Sequence, residues 1–294
     1  IDDTDSSFDH PLLALGAVTN DPDTFYLHQA LQQPDKKQFL EAMVKEVADQ
    51  ENNSNFIMVP KEEMPPDATL LPMVWSMRRK RRIATREVYR WKARLNVDGS
   101  KQTKGIDFDE TYAPVASWPT IRLLLTMVSL HGWHTKQIDY VLAYPQADVE
   151  RDNLYLKIPR GFQAPDNEKE YVLKCNKNIY GQCQAGRVWY KHLVKRLKKI
   201  GFQQSKIDEC LFTHGSIMYV LYTDDSILAG PDEAELNQVI KDMKAAKLDV
   251  TVEGNISDFL GEKLKKLHDG SIKMTQPHLI DSILKDLRLD GKNV

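Results

Sequence analysis

The sequence predicts an α+β fold built around a split-βαβ sheet, the βαββαβ or ferredoxin-like arrangement. Three observations carry that expectation. Strand-like and helix-like segments follow one another from Gln137 to Val252 in the order strand, helix, strand, strand, helix, strand. The 294 residues, 41% hydrophobic and 28% charged, can bury a sizeable core and are too apolar for wholesale disorder. The longest apolar stretch, around Leu123 to Val128, is far shorter than the roughly 20 residues that cross a bilayer, so no membrane partner is expected. Cys175, Cys183 and Cys210 are odd in number and form no CxxC pair, which argues against a disulfide framework or a Cys-rich zinc site and suits an intracellular chain. A start at Ile1 without a basic-then-apolar leader reads as a fragment or processed product.

The elements are justified in chain order. Residues 1–35 open with Asp2, Asp3, Asp5 and Asp9, contain Pro11, Pro22 and Pro34, and read as a loosely ordered leader. Phe39, Leu40, Met43 and Val47 recur at helical spacing between Asp35 and Asp49. Pro60, Pro65, Pro66 and Pro72 break the chain before a strand at Leu70 to Met77, and Glu87 to Val97 has the mixed pattern of a half-exposed hairpin. Pro119 precedes Ile121, Leu124, Leu125 and Val128, a helical stripe ending near Gly132, and Thr135 to Tyr140 alternates as a strand. From Ala185 to Ile200, Trp189, Leu193, Leu197 and Ile200 form the apolar stripe of a basic amphipathic helix. Ile217 to Tyr222 and Ile227 to Ala229 flank Thr223, Asp224, Asp225 and Ser226, a hairpin with its acids at the tip. Asp232 and Glu235 make a D-x-x-E capping box ahead of Leu236, Val239, Ile240 and Met243, and Leu248 to Val252 gives a further strand. Asp269-Gly270 predicts a two-residue hairpin turn, and Gln276 to Leu287 closes as a helix.

Charge is unevenly distributed. Between Arg78 and Arg94 lie nine Lys or Arg residues against one acid, Glu87, a local net of +8 in a chain whose total is −2. That polarity asks for an anionic partner. In the predicted topology the first strand and the central hairpin are neighbours, which brings Asp139 to Asp224 and Asp225 although about 85 residues separate them. Like charges about 4 Å apart repel by roughly 4 kcal/mol at an effective dielectric of ~20, so three such carboxylates need counter-ions. Divalent cations meet that need, and Mg²⁺ shares one or two carboxylates with substrate phosphates. Asp-Asp in a hairpin is more often a solvated turn; the third acid on an adjacent strand shifts the balance toward a metal site, and the basic segment toward a phosphate clamp. His131 and His134 lack a Glu or Cys to complete a ligand set, Asp107, Asp109 and Glu110 read as a surface acidic loop, and no phosphate-binding GxxxxGK[ST], GxGxxG or nucleophile elbow is present.

Several segments, in order and spacing, resemble one family. They are YRWKARL at Tyr89 to Leu95, GIDFDETYAPVASWPTIR at Gly105 to Arg122, QIDYVLAYPQA at Gln137 to Ala147, NIYGQCQAGRVWY at Asn178 to Tyr190, GFQQSKIDECL at Gly201 to Leu211, YTDD at Tyr222 to Asp225 and FLG at Phe259 to Gly261. Together they resemble the reverse transcriptase of Copia-type (Pseudoviridae) LTR retrotransposons over roughly Asp21 to Leu287. The resemblance implies a right-hand polymerase: a leader at 1–35, fingers at 36–117 and 146–186, a palm at 118–145 and 187–262, and the start of a thumb at 263–294. It implies Asp139, Asp224 and Asp225 as catalytic acids that hold two Mg²⁺ ions, with Mn²⁺ a possible substitute and the Tyr140 carbonyl nearby. Lys92 and Arg94 match the residues that grip the incoming triphosphate, Tyr144 the steric gate under the sugar, Gln184 a nucleotide- or template-contacting glutamine, and Leu260 and Gly261 the primer grip.

The implied activity is RNA- and DNA-directed DNA synthesis from a primer 3′-hydroxyl. The implied partners are an RNA or DNA template, a primer strand, deoxynucleotides and other polyprotein domains such as integrase and RNase H, in a cytoplasmic virus-like particle. The sequence departs from the usual family form at Thr223 in place of Val, at Cys183 in place of Lys, at Gln182 and Gly186, and at Asn96 and Asp98. None of these removes one of the three acids. Two rival readings are a non-catalytic nucleic-acid-binding relic and a metal-dependent cyclase on a similar sheet.

Overall fold

The computed structural model describes residues 22–81, 87–151, 153–162, 170–252, 254, 256–287 and 289. Residues 1–21 of the expected leader, and Arg82 and Arg86 of the basic run, lie outside them. The chain divides into two compact units, residues 1–111 with 147–185, and residues 112–146 with 186–294.

The first unit opens with β1 (Thr24–Tyr26), α1 (Lys36–Asn52), β2 (Phe56–Pro60), β3 (Thr69–Leu71), β4 (Met73–Arg81) and β5 (Val88–Val97). The expected leader thus contributes a strand, because Thr24 to Tyr26 complete the open edge of β4. The single strand expected at Leu70 to Met77 is two. Pro72 has no N–H to continue a ladder, and β3 and β4 join different sheets. Helix α1 also differs in its buried face, which is Phe39, Met43, Glu46 and Gln50, while Leu40 is exposed. The inward Glu46 accepts the Leu95 N–H at the unpaired edge of β5 and the Gln50 amide, and Asn55 donates in turn to Gln50, so Glu46 and Gln50 are paired within the core, while the buried Asn55 Oδ1 has no partner among the described residues.

The second unit starts with α2 (Trp118–His131) and β6 (His134–Tyr140), after which the chain returns to the first unit for β7 (Leu154–Leu156) and β8 (Tyr171–Cys175). In the first unit the sheet orders are β1-β4-β5 and β2-β8-β7-β3, with β3 and β7 parallel, around a core that includes Phe39, Met77, Leu95, Leu156 and Leu173. The chain then completes the second unit with α3 (Ala185–Lys199), β9 (Gln203–Gln204), β10 (Leu211–His214), β11 (Ile217–Tyr222), β12 (Asp225–Gly230), α4 (Glu233–Ala245), β13 (Val250–Val252), β14 (Asp258–Phe259), β15 (Glu262–Lys266), β16 (Ile272–Thr275) and α5 (Pro277–Asp286).

The six-stranded sheet of this unit has the order β13-β6-β12-β11-β10-β9, so β6 sits between β13 and the β11–β12 hairpin, antiparallel to both neighbours. Local chemistry explains its helices. Ser117 caps α2, Pro119 lies in the first turn, and Gly132 ends the helix at φ 65°, where a side chain would be strained. Ile121, Leu124, Leu125 and Val128 are buried as their spacing predicts. Asp232 caps α4 by accepting the Ala234 N–H at 2.7 Å. The core joins Ile138, Trp189, Leu193, Tyr219, Leu228 and Leu236. The Asp269-Gly270 turn is longer than two residues: the last pair is Lys266 with Ile272, Gly270 N donates to Leu267 O, and Gly270 takes φ 85°. Beyond that pair the Leu267 N–H donates to the Ser271 carbonyl at 2.8 Å, which leaves a three-residue loop, 268–270, with Gly at its left-handed position, a different use of the same residue.

Candidate active site

Three strands place the carboxylates. Asp139, the penultimate residue of β6, stands directly opposite Asp225, the first residue of β12, and Asp225 in turn pairs with Tyr222 across the hairpin. Opposed residues share a sheet face, so Asp139 and Asp225 project from the same side, in a row with Tyr222 and Thr251. All three acids are partly exposed. The hairpin tip is narrower than the sequence suggests: the turn proper is Thr223-Asp224, and Asp225 already belongs to the ladder.

The turn is strained. Thr223 takes φ 58°, and a β-branched residue in that region is an outlier. A buried cluster lies behind it. The Trp189 indole N–H of α3 donates to the Thr223 carbonyl at 3.0 Å, and its ring meets Tyr140 edge-on with centroids 4.9 Å apart. The Tyr140 and Tyr219 hydroxyls are 2.6 Å apart, and the Ser226 hydroxyl donates to the Ile138 carbonyl. Burial raises the Tyr140 hydroxyl well above its ordinary value and raises that of Tyr219 too, so both keep their protons. Tyr140 and Ser226 each follow one of the acids on its strand, and with Tyr219 of β11 they face the core.

The donor set suits a hard cation. Two carboxylates on one face with a third in the adjoining turn offer oxygens alone, the ligand type Mg²⁺ selects. Among the described residues no three His, Cys, Asp or Glu side chains gather tightly enough to cage an ion by themselves.

The cationic strand belongs to the first unit. On β4 and β5, Arg78 pairs with Lys92, Lys80 with Arg90 and Ser76 with Arg94, which puts five cations on one sheet face. The opposite face is neutralised. Arg79 holds Asp35 through two bonds of 2.7 and 2.6 Å, and Arg81 holds Asp23 at 2.7 and 2.9 Å. The run is therefore a two-sided strand and not a uniform basic coat. The Arg79 hydrogen bond holds the Asp35 carboxyl down to about 2, with help from the Trp91 indole and against the effect of burial. Burial lowers the Lys92 ammonium to about 8, Arg94, Lys80 and Arg90 push it further down, and Glu46 offsets part of the effect. Arg94 stacks over the Tyr180 ring at 5.1 Å. The close approach of the 180–183 turn to the end of β5 depends on glycine, since a Cβ on Gly99 would stand 2.2 Å from the Gly181 carbonyl oxygen. Gln184 is buried in the same turn, accepting from Gln102, whose own oxygen accepts the Cys183 N–H at 2.7 Å.

A model of the family "Reverse transcriptase (RNA-dependent DNA polymerase)" matches residues 55–294. The chain belongs to the reverse transcriptase family. It is 28% identical over 282 residues to the retrovirus-related Pol polyprotein from transposon TNT 1-94 of Nicotiana tabacum, which covers 94% of this chain and 21% of that protein. It is 30% identical over 269 residues to that from transposon RE2 of Arabidopsis thaliana, 90% of this chain and 18% of the relative. It is 27% identical over 145 residues to the transposon Ty1-ER2 Gag-Pol polyprotein of Saccharomyces cerevisiae, 47% of this chain and 8% of that protein. The chain thus spans about a fifth or less of the length of these Copia-type relatives.

In this reverse transcriptase chain the remaining expected residues fall in both units. Tyr144 belongs with the acids in the second unit, and its hydroxyl lies 3.9 Å from where a Cβ on Gly186 would stand. Leu260 and Gly261 form the two-residue turn between β14 and β15, both at positive φ, 53° and 79°. Lys92, Arg94 and Gln184 belong to the first unit. Sequence reasoning missed Trp189 as more than a core residue, and it missed Asp208. Asp208 accepts from Thr120 Oγ1 at 2.5 Å, Ser117 Oγ at 2.9 Å and the Ser117 and Cys210 amides, fastening the start of α2 to the β10 approach. Its only sequence signal was an acid ahead of a strand in the KIDECL segment.

Proposed function

We propose that this chain is the polymerase core of a retrotransposon reverse transcriptase, adding deoxynucleotides to a primer 3′-hydroxyl on an RNA or DNA template. The carrying observation is the direct opposition of Asp139 and Asp225 on adjacent strands, with Asp224 in the adjoining turn. In this reading the first unit supplies the fingers, and the second supplies the palm and, from residue 263, the start of the thumb. Asp139, Asp224 and Asp225, with the Tyr140 carbonyl, hold the divalent ions. Bound Mg²⁺ supplies charge for the attacking and leaving oxygens.

The chain's own residues do the positioning. Lys92 and Arg94 bind the triphosphate oxygens, the planar Arg94 fork being fixed by the Tyr180 ring. Tyr144 packs under the sugar and excludes a 2′-hydroxyl, Gln184 braces the turn beside the base, and the Leu260-Gly261 turn lies against the primer. Holding the reacting groups in line is where such an active site derives much of its rate. The polyprotein relatives support further Pol domains as partners, integrase and RNase H being the types proposed here. No described helix is long and apolar enough to cross a membrane.

Primer extension on an RNA template with Mg²⁺ tests the reading. Wild-type protein extends the primer, and Asp224→Asn loses at least ~10³-fold in rate while binding the duplex normally. A wild-type protein that binds duplex and never extends it is a nucleic-acid-binding relic. Cyclic product from a nucleoside triphosphate without template identifies a cyclase.

A further inference from the structure

We infer that Trp189 is a positioning residue for the acids, a clamp that holds the strained Thr223-Asp224 turn in the conformation that presents Asp224 and Asp225. The inference rests on the reading of those acids as a divalent-ion site. Two observations on independent elements converge on one side chain. Thr223 stands at φ 58°, a conformation its β-branched side chain opposes, so the turn needs an external hold. The Trp189 indole N–H supplies one, donating to the Thr223 carbonyl at 3.0 Å from a ring only 1% exposed. The same ring lies edge-on to Tyr140, the neighbour of Asp139 on β6. One residue on α3 therefore touches the strand that carries Asp139 and the turn that carries Asp224, and its rigid, buried ring allows the turn little freedom to relax.

The test separates the indole N–H from the ring. Trp189→Phe keeps the contact with Tyr140 and removes the donor. Hydrogen exchange of the 222–226 peptide, read by mass spectrometry, rises about five- to tenfold in the variant, while the β2 and β8 peptides exchange as before. Mn²⁺ affinity, read by electron paramagnetic resonance, falls several-fold in parallel. Thr223→Gly removes the strain, so adding Trp189→Phe to it changes exchange and Mn²⁺ affinity less than Trp189→Phe does alone. Unchanged exchange in a folded Trp189→Phe, or effects of the two substitutions that simply add, overturns the clamp. Should Trp189→Phe lose its cooperative melt, Thr223→Gly alone decides: a raised Tm supports a turn held under strain, and an unchanged or lowered Tm refutes it. Wild-type protein that binds no Mn²⁺ sinks the metal-site reading and leaves the exchange result standing as a statement about the turn.

Discussion

Lys92 shows how one side chain's surroundings set its task. Its ammonium is lowered to about 8 by burial and by the Arg94, Lys80 and Arg90 charges, and in the proposed function an arriving polyphosphate would relieve that repulsion. Because the folded value lies below the unfolded one, the unfolded chain binds more protons between about pH 8 and 10.5, and stability rises with pH through that window. Two results follow from that sign. The kcat/KM for a deoxynucleotide falls above about pH 8 and Lys92→Arg shifts the fall upward, as steady-state kinetics across pH will show. Lys92→Met raises Tm at pH 7 by ~2–4 °C while weakening the nucleotide, a trade seen by calorimetry beside a KM measurement. The acids were legible in the sequence because Asp-Asp between two apolar runs, and a lone Asp ending a third, break an otherwise apolar pattern. Trp189 was not, since a Trp on an apolar helical stripe has the same periodicity whether it only packs or also donates to a distant turn.

Elements fold here where capping, turn chemistry and burial agree, and the disagreements mark strain. Helix α2 was readable from Pro119, its apolar stripe and Gly132, while the Ser117 cap went unread. The helix's outside anchor was not readable, because Asp208 lies about 90 residues away and its partners Ser117 and Thr120 look like ordinary capping residues. Burial pushes the Asp208 carboxyl up, but hydrogen bonds from Thr120, Ser117 and Cys210 outweigh it and hold it below its ordinary value. Its stabilisation is therefore present above the unfolded value and is lost as pH falls through the folded one. Asp208→Ala costs about 1–3 kcal/mol in urea unfolding at pH 7, less in acid. The β14–β15 turn went unread because Leu-Gly is not a hairpin signature; Leu260 at φ 53° occupies a position that favours Asn or Gly. Leu260→Asn raises the midpoint of urea unfolding, and if the turn grips the primer it also weakens primer binding in a filter assay.

At the scale of the molecule, the near-neutral total conceals a division of labour between faces. Of the basic run, Arg79 and Arg81 serve the fold through Asp35 and Asp23, and Arg78, Lys80, Arg90, Lys92 and Arg94 share the other face of the same hairpin. Composition alone showed the excess charge; which cations are neutralised depended on acids at positions 23 and 35, in a stretch whose prolines and scattered apolar residues suggested no structure. Arg90→Ala should lower the slope of log affinity against log salt for template–primer duplex by about 1 without changing sequence preference, as fluorescence anisotropy across salt concentrations will show. The mixed order of helices and strands from β6 to β13 was legible in part, because β6, α3, β11, β12, α4 and β13 each match a segment read from periodicity, whereas β9 and β10, which extend the sheet to six strands, were not read. The excursion of residues 147–185 into the other unit was not legible from periodicity, since nothing local to those residues names the sheet they complete; only the family resemblance grouped 146–186 with 36–117.

The central claim is that Asp139 and the Asp224-Asp225 turn hold one divalent-ion site. Iron-mediated cleavage reads it most directly: Fe²⁺ in place of Mg²⁺, with ascorbate and peroxide, cuts backbone next to the bound ion. The account predicts cuts within both 137–141 and 222–226, suppressed by excess Mg²⁺ and absent from Asp139→Asn. Cuts confined to other segments, or unaffected by Mg²⁺ and by Asp139→Asn, would contradict it.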